Sequence, residues 1–599
     1  MANTKNFIAK NGVSTGDGYA MPDVRPSLLL DFANSKTLDP RITFTRGSTA
    51  TYWDGKTTAK AEENLIKYSQ ELDNAVWQHY QGSSVTANST AAPDGTTTAD
   101  TVTFGTSAVS NAYQIFSGPP SGTEVTVSCY AKVASGTQNF RLKVYDGADK
   151  LSSDFTATTT WQRFSYTVTT TGTQTQIGVM NKAAGGSGAI QVWGVQSEIR
   201  GSATAYTATT SSPIVKYQPT LQTAASGEAR FDHDPVTGES KGLLIEGSRT
   251  NLANWSEAAS SFYGGNLLDQ MYDNAGIAPD GTHTADLVHQ STLSEHQSIY
   301  AAMGGISGST TYTRSCYFKS RGARYVALLQ YDGFSNNGTT YDLQDGVVVT
   351  TEGSATGAIE DVGNGWFRCS QTFTTTAAAG SERIQIALPS GGNNTFAHTG
   401  DGWSGVLFWG WQLEQGAFPS SYIKTSGSTV TRANEVAELT GTNFSSWYNH
   451  DEMSFYAEHV VGNIDPTYAN AAPFFFAQDT NTTNLISVGQ GAGYGGTSNR
   501  RNSAYIVTNN VTQTINATSD YLNVGDRTRI AFGASNSDGT YSLSADTQTL
   551  LTGSVSLPYT INKAQIGKGY VTDPYYTNGW IKKIAFYQKR LSNATLQQM

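Results

Sequence analysis

The chain of 599 residues carries 48 Asp and Glu against 38 Lys and Arg, a formal net charge of −10. That balance leaves no basic surface for phosphate, which sets nucleic acid aside as a partner, and the length exceeds what one hydrophobic core sustains. Charged residues make up only 14% while aromatics reach 11%, which suits short strands with aromatic cores and not a helical enzyme.

In chain order, residues 1–25 are polar and glycine-bearing and read as an extended arm that orders by docking. They hold no apolar core of signal-peptide length, and no later run approaches the ~18 residues of a membrane span, so export and insertion are not expected. Residues 26–63 bring two strand candidates, Leu28 to Phe32 and Arg41 to Thr45, and a turn at Tyr52-Trp53-Asp54-Gly55.

A repeat then organises the chain. Pro93-Asp94-Gly95, Ser128-Cys129-Tyr130, Tyr145-Asp146-Gly147, Trp161-x-Arg163 and Trp193-Gly194-Val195-Gln196-Ser197-Glu198 recur in order as Pro279-Asp280-Gly281, Ser315-Cys316-Tyr317, Tyr331-Asp332-Gly333, Trp366-x-Arg368 and Trp409-Gly410-Trp411-Gln412-Leu413-Glu414. The copies occupy 64–210 and 251–428. Alternating runs such as Val125 to Ala131, separated by Gly, Asp and Asn, predict jelly-roll β-sandwiches. Residues 211–250 read as an ordered connector, because Gly242-Leu243-Leu244-Ile245-Glu246 is an apolar strand. A third β-module fills 429–599 and ends in a short helix with Ser592 or Asn593 as its cap. The fold class is therefore all-β: tandem jelly rolls, a further β-sandwich and an extended amino-terminal arm.

Two of the three cysteines, Cys129 and Cys316, stand at equivalent places in different copies, and Phe164 replaces Cys369 in the first copy. The thiols read as small buried hydrophobes with no required disulfide, as in a reducing compartment. No residues present themselves as catalytic. Asp232-His233-Asp234 has the look of an acid–base or metal cluster, but Pro235 and Gly238 make a solvated turn the better reading. Gly491-x-Gly493-x-x-Gly496 precedes a strand rather than a helix, which removes a dinucleotide site.

In the repeated terminal strand, strict alternation places Trp193, Val195 and Ser197, or Trp409, Trp411 and Leu413, on the core face. Gln196, Glu198, Gln412 and Glu414 then share the opposite face, as candidates for bonding sugar hydroxyls or for a junction between modules.

Phe44-Thr45-Arg46-Gly47-Ser48-Thr49-Ala50-Thr51-Tyr52, Phe231 to Gly238, Gly242 to Glu246 and Arg249-Thr250-Asn251-Leu252 resemble stretches of bacteriophage virion proteins, in which the two regions lie close together. Here the first repeat separates them and looks inserted. The repeats resemble carbohydrate-binding-module jelly rolls of such proteins, and Thr431-Arg432-Ala433-Asn434 onward resembles their laminin-G-like, concanavalin-like domain. Lys5 to Gly12 is similar to amino termini of structural proteins from marine cyanobacterial phages, which implies virion anchoring through Asn6, Phe7 and Ile8.

The resemblance implies a non-enzymatic tail or capsid fibre that adheres to host-surface glycans, assembled in the host cytoplasm and residing in the virion. It further implies other virion proteins as partners, a homo-oligomer such as a trimer, and structural calcium without identified ligands; no cofactor is required. A decoration or spacer protein and a polysaccharide depolymerase are the alternatives.

Overall fold

β-Branched and aromatic residues alternating with polar ones, interrupted every eight to twelve residues by Gly, Asn or Asp, leave the backbone little choice but antiparallel ladders. A computed structural model describes residues 13–14, 20–21, 24–55, 59–182, 188–204, 206–258, 264–304, 306–331, 336–377, 381–392, 395–463, 472–480, 483–491, 501–516, 522–546, 550–569 and 575–599. Among the described residues strands dominate and helix is confined to a few short turns, so the all-β class holds. Asn6, Phe7 and Ile8 lie outside the described residues, as do Gly493 and Gly496.

The chain divides into two units, one of residues 57–218 and one of 1–56 with 219–599. The first is a two-sheet sandwich. Its five-stranded sheet runs Gln162–Thr169, Glu124–Lys132, Ala189–Glu198, Ala99–Thr103, Ser84–Thr90. The facing sheet runs Asp149–Leu151, Gln138–Tyr145, Gln176–Asn181, Asn111–Ile115, Trp77–Tyr80, with Phe155–Ala157 also paired to Gln138–Tyr145. Val127, Cys129, Leu142, Val144, Val179 and Val195 fill the space between. The two ends of this unit pair with each other, Ala59–Asn64 against Ile214–Gln218, so it begins and ends at one place.

The larger unit holds the second copy and the carboxy-terminal sandwich. The second copy repeats the pattern: a six-stranded sheet centred on Gly405–Gln415 and Thr311–Arg321, and a five-stranded sheet of Ser298–Gly304, Ser381–Ala387, Tyr325–Tyr331, Asn336–Asp342 and Val347–Glu352. Cys316 and Cys369 stand directly opposite on neighbouring strands, both as free buried thiols. In the first copy Cys129 faces Phe164 at the same register.

Segments 26–63 and 211–250 are more than flanking pieces. Leu28–Asp31 pairs with Gly579–Tyr587, Thr43–Thr45 with Val436–Thr440, and Phe231–His233 with Ser240–Ile245, which in turn joins Gly579–Tyr587. They are strands of the carboxy-terminal sandwich, and Leu28, Leu30, Leu243 and Ile245 pack in one core with Phe455, Phe475, Phe532 and Phe586. The final helix, Asn593–Gln598, is capped by Ser592, whose hydroxyl accepts from Thr595 N–H.

The solvated-turn reading of Asp232-His233-Asp234 holds for one residue of the three. Asp234 accepts from Val236 and Thr237 N–H in the turn. Asp232 and His233 are buried instead: Asp232 accepts from Trp53 N–H and Trp580 Nε1–H at 2.6 Å each, and His233 Nδ1 sits 3.0 Å from Trp53 O. Two strands meeting there, Ala50–Trp53 and Phe231–His233, exclude the water that an isolated turn would have.

A buried ion cluster ties these segments together. Glu435 receives Arg46 Nη1 at 2.8 Å and Arg230 through two nitrogens at 2.8 and 2.6 Å. Glu246 receives Arg230 at 2.8 Å and Arg432 at 2.7 Å. Three guanidiniums outnumber two carboxylates, and the excess is met by carbonyls of Ser48, Thr51, Ala225 and Gly247. Burial pushes the Glu246 carboxyl up, but Arg432 and Arg230 outweigh it and hold the group below its ordinary value of 4.5.

Because that value is depressed in the fold, Glu246 stabilises this unit above about pH 4.5 and the contribution fades as pH falls further. Glu246→Gln therefore lowers the unit's stability by about 3–5 kcal/mol at pH 7, since buried Arg432 loses its carboxylate partner and Arg230 keeps only Glu435. Thermal unfolding of both proteins across pH 3–7 should show the gap narrowing below about pH 4.5; a constant gap would contradict the assignment.

Candidate functional site

Trp193 and Trp409 are where a single extra residue redirects the repeated strand. In the first copy Tyr130 pairs with Trp193 but Ser128 pairs with Gln196, so two residues on Ala189–Glu198, Gly194 and Val195, oppose one on Glu124–Lys132, Cys129. The second copy repeats the bulge, Tyr317 with Trp409 and Ser315 with Gln412. Gly194 and Gly410 occupy it at φ +63° and +69°, a left-handed conformation that glycine adopts without penalty.

The bulge corrects the alternation expected from sequence. Val195 enters the main core of the first copy and Trp411 and Leu413 that of the second, while Trp193 and Trp409 turn to the opposite face and share it with the Gln-x-Glu pairs. That face is covered in both copies by the returning chain. Tyr206 packs on Trp193 and Tyr422 on Trp409, each with ring centroids 4.6 Å apart. Trp193 Nε1–H donates to Thr98 Oγ1 and Trp409 Nε1–H to Thr284 Oγ1, each at 3.0 Å.

Gln196, Glu198, Gln412 and Glu414 are all 0% exposed, so they do not present a sugar-binding surface. Gln196 Oε1 accepts Thr207 N–H at 2.6 Å and Gln412 Oε1 accepts Ile423 N–H at 2.7 Å. Glu198 takes the N–H and hydroxyl of Thr204, and Glu414 those of Ser420. Arg163 binds the Thr204 carbonyl and Ser128 Oγ, while Arg368 binds the Ser420 carbonyl and Ser315 Oγ. Asn64 and Asn251 complete the match, each donating to two carbonyls, Val195 and Thr207 or Trp411 and Ile423. These side chains form a clasp over the central strands of one sheet in each sandwich, Glu124–Lys132 with Ala189–Glu198 and Thr311–Arg321 with Gly405–Gln415. Burial raises the Glu198 carboxyl above its ordinary range, against the lowering bonds from Thr204 and Gln196.

The facing sheet of the first copy is different. Its outward side chains alternate with core residues: Gln78 and Tyr80, Tyr113 and Ile115, Arg141, Lys143 and Tyr145, then Gln176, Gly178 and Met180. Tyr113 and Lys143 flank Gly178 from the two neighbouring strands, and Tyr145 lies beside Gln176. The Lys143 ammonium stands 6.0 Å from the Tyr113 ring centre and 5.4 Å from that of Tyr145. Tyr113 OH donates to Gln78 Oε1 at 2.7 Å, fixing the ring. Tyr80 is 47% exposed and Ile115 52%.

Cations here are paired: Lys143 with Asp149 at 2.8 Å, and Arg141 and Lys182 with Asp154 at 2.7 and 2.6 Å. Lys182 and Arg141 hold the Asp154 carboxyl below its usual range. Met180 and Lys143 are buried, at 2% and 8% exposure, while Tyr80, Tyr113 and Tyr145 stay at least partly exposed; aromatic rings with amides, a hydroxyl and ion pairs on the outer side of a sheet can stack on and hydrogen-bond a polar ligand with apolar faces. Sequence reading passed over this face. Its signal was present in the alternation of Phe140-Arg141-Leu142-Lys143-Val144-Tyr145, but nothing local says which polar residues a distant strap will cover.

Among the described residues, no group of three or more His, Cys, Asp or Glu could hold a metal ion. No helix of the described residues is long and apolar enough to cross a membrane.

No family model matches the chain, and no curated protein matches it. Solved structures similar to parts of it include the tandem CBM22-1–CBM22-2 domain of Paenibacillus barcinonensis Xyn10C, 13% identical, covering 60% of this chain and 100% of that one at a TM-score of 0.21. The Ruminococcus gnavus IT-sialidase CBM40 bound to α2,3-sialyllactose is 11% identical over 26% of this chain and 85% of its own, TM-score 0.22. The enzymatically active domain of bacteriophage CBA120 tailspike protein 4 is 14% identical over 23% and 21%, TM-score 0.19. These are partial likenesses, at scores too low to carry a function across.

The clasp can be tested directly. Glu198→Ala leaves the Thr204 N–H and hydroxyl without their acceptor, at a cost of about 1–3 kcal/mol to the 57–218 unit, and Glu414→Ala acts alike in the larger unit. Differential scanning calorimetry should show one transition fall in each variant and the other stay in place.

Proposed function

We propose that this chain is a non-enzymatic adhesion protein of a phage virion appendage that binds host-surface glycans, with the first copy as its principal binding module. One observation carries the reading: the outward face bearing Tyr80, Tyr113, Tyr145, Gln78 and Gln176 around Gly178, on a sheet whose core side is fully packed. Sugar rings have apolar faces and hydroxyl edges, which aromatic rings and amides match together. The amino-terminal and connector motifs that resemble phage virion proteins support the virion setting. Several copies on one appendage would convert weak single-site binding to firm attachment through effective concentration.

In glycan-array and whole-cell binding by the full chain, Tyr113→Ala with Tyr145→Ala should weaken adhesion about 10- to 100-fold, equivalent to about 1.4–3 kcal/mol, with melting unchanged. Binding that ignores both substitutions would refute the assignment of this face. Tight association with capsid or tail protein and no glycan binding would favour the spacer role, and release of reducing ends from a bound polysaccharide would make the protein a depolymerase.

A further inference from the structure

The two copies superimpose in register, so each position on the outward face of the first has a counterpart in the second. Tyr113 pairs with Gly178, which pairs with Lys143; in the second copy Tyr300 pairs with Gln385, which pairs with Leu329. Two residues along the same strands, Arg141 and Met180 correspond to Ala327 and Ala387. The first copy thus has a bare glycine between a ring and a cation, and the second has a glutamine between a ring and a leucine.

Gln385 does not hang free: its Nε2–H donates to Ser298 Oγ at 2.6 Å, which holds the side chain on the sheet. Tyr300 leans across the backbone of Gly264, where an added Cβ would stand 2.1 Å from the ring. Tyr113, by contrast, is held by Gln78 from the corresponding strand. The clasp beneath is the same in both copies, so the scaffold has been kept while the face has changed.

The tyrosines of the first copy also have an order. Tyr80 is level with Asn111, two residues from Tyr113, and Tyr145 is level with Gln176, two residues beyond Gly178. Tyr80, Tyr113 and Tyr145 therefore lie on a diagonal over four strands, spanning about 20 Å at ordinary strand spacing and rise. Gly178, itself buried, puts no side chain into the middle of that diagonal, and an added Cβ there would stand 3.1 Å from Tyr113 Cβ and 3.1 Å from the Ala112 carbonyl oxygen. Lys143, only 8% exposed, is enclosed by Tyr113, Tyr145 and Asp149, and Arg141 and Lys182 are both engaged by Asp154.

We infer that the first copy binds an uncharged, unbranched glycan chain laid along this diagonal, that Gly178 is the residue that admits it, and that the corresponding face of the second copy, filled by Gln385, does not bind. This rests on the glycan-binding reading above. A row of stacking rings suits a linear chain, and a face whose cations already have carboxylate partners gives a polyanion nothing to select.

The experiment measures affinity electrophoresis and calorimetric titration of the full chain and three variants, Gly178→Gln, Tyr113→Ala and Gln385→Ala. The probes are an unbranched neutral polysaccharide set (a β-1,4-xylan and a linear β-glucan) and an unbranched polyanion, alginate. The expected result is binding to a neutral chain, weakened ten-fold or more by Gly178→Gln and by Tyr113→Ala, unchanged by Gln385→Ala, with no retention by alginate. Tyr113→Ala, on the solvent side of a packed sheet, keeps the test decisive if Gly178→Gln disturbs folding.

Stronger binding to alginate than to either neutral chain, still lost on Tyr113→Ala, would overturn the ligand class and leave the glycan-binding reading standing. Loss of binding in Gln385→Ala would overturn the division between copies. Binding to any probe that neither Tyr113→Ala nor Gly178→Gln weakens would sink both the inference and the reading beneath it.

Discussion

A one-residue bulge decides which surfaces this protein can use. Glycine in a left-handed conformation at Gly194 and again at Gly410 turns the preceding tryptophan onto the same side as the Gln-x-Glu pair. Ring, amide and carboxylate then act together on one returning segment, Tyr206 with Thr204 and Thr207, or Tyr422 with Ser420 and Ile423. Buried amides and carboxylates are tolerated because each accepts backbone N–H groups that would otherwise be unpaired. Each clasp lies over the central strands of one sheet and does not reach the outer side of the other.

The larger unit solves a different problem, that of joining segments separated by hundreds of residues. Arg46 and Glu435 are 389 positions apart and meet at 2.8 Å; Arg230 lies between them, bound to Glu435 and Glu246. Such a cluster is weak evidence of net stability, because taking five charges out of water costs much of what their attraction returns. It is stronger evidence of specificity: any register that leaves one guanidinium unpaired in this core is heavily penalised. Arg46, Glu246 and Arg432, far apart in the chain, thus belong to one charge cluster.

Duplication gave two copies of one clasped sandwich, and the copies then diverged on the surface the clasp leaves open. Glycine against glutamine at 178 and 385, and lysine against leucine at 143 and 329, change what each face offers while the arginine, asparagine and carboxylate contacts of the clasp recur. Conservation of scaffold with change of face is how binding specificity is separated from folding, since outward side chains on a packed sheet contribute little to its core.

The repeat, the all-β class and the burial of the tryptophans were legible in the sequence, because periodicity two and turn residues are local properties and a duplicated landmark reports a duplicated fold. The pairing of Leu28–Asp31 with Gly579–Tyr587 was not, since strand partners so far apart leave no local mark. Nor was the burial of Gln196, Glu198, Gln412 and Glu414, which keep the face alternation gave them but are covered by the returning chain, while one extra residue at a glycine moves Trp193 and Trp409 onto that same face. Asp232 and His233 read as a solvated turn until a neighbouring strand covered them. Sequence alone determined which residues could be strands and that the module occurs twice; tertiary structure decided which faces stay open, because exposure depends on what a distant part of the chain is laid against.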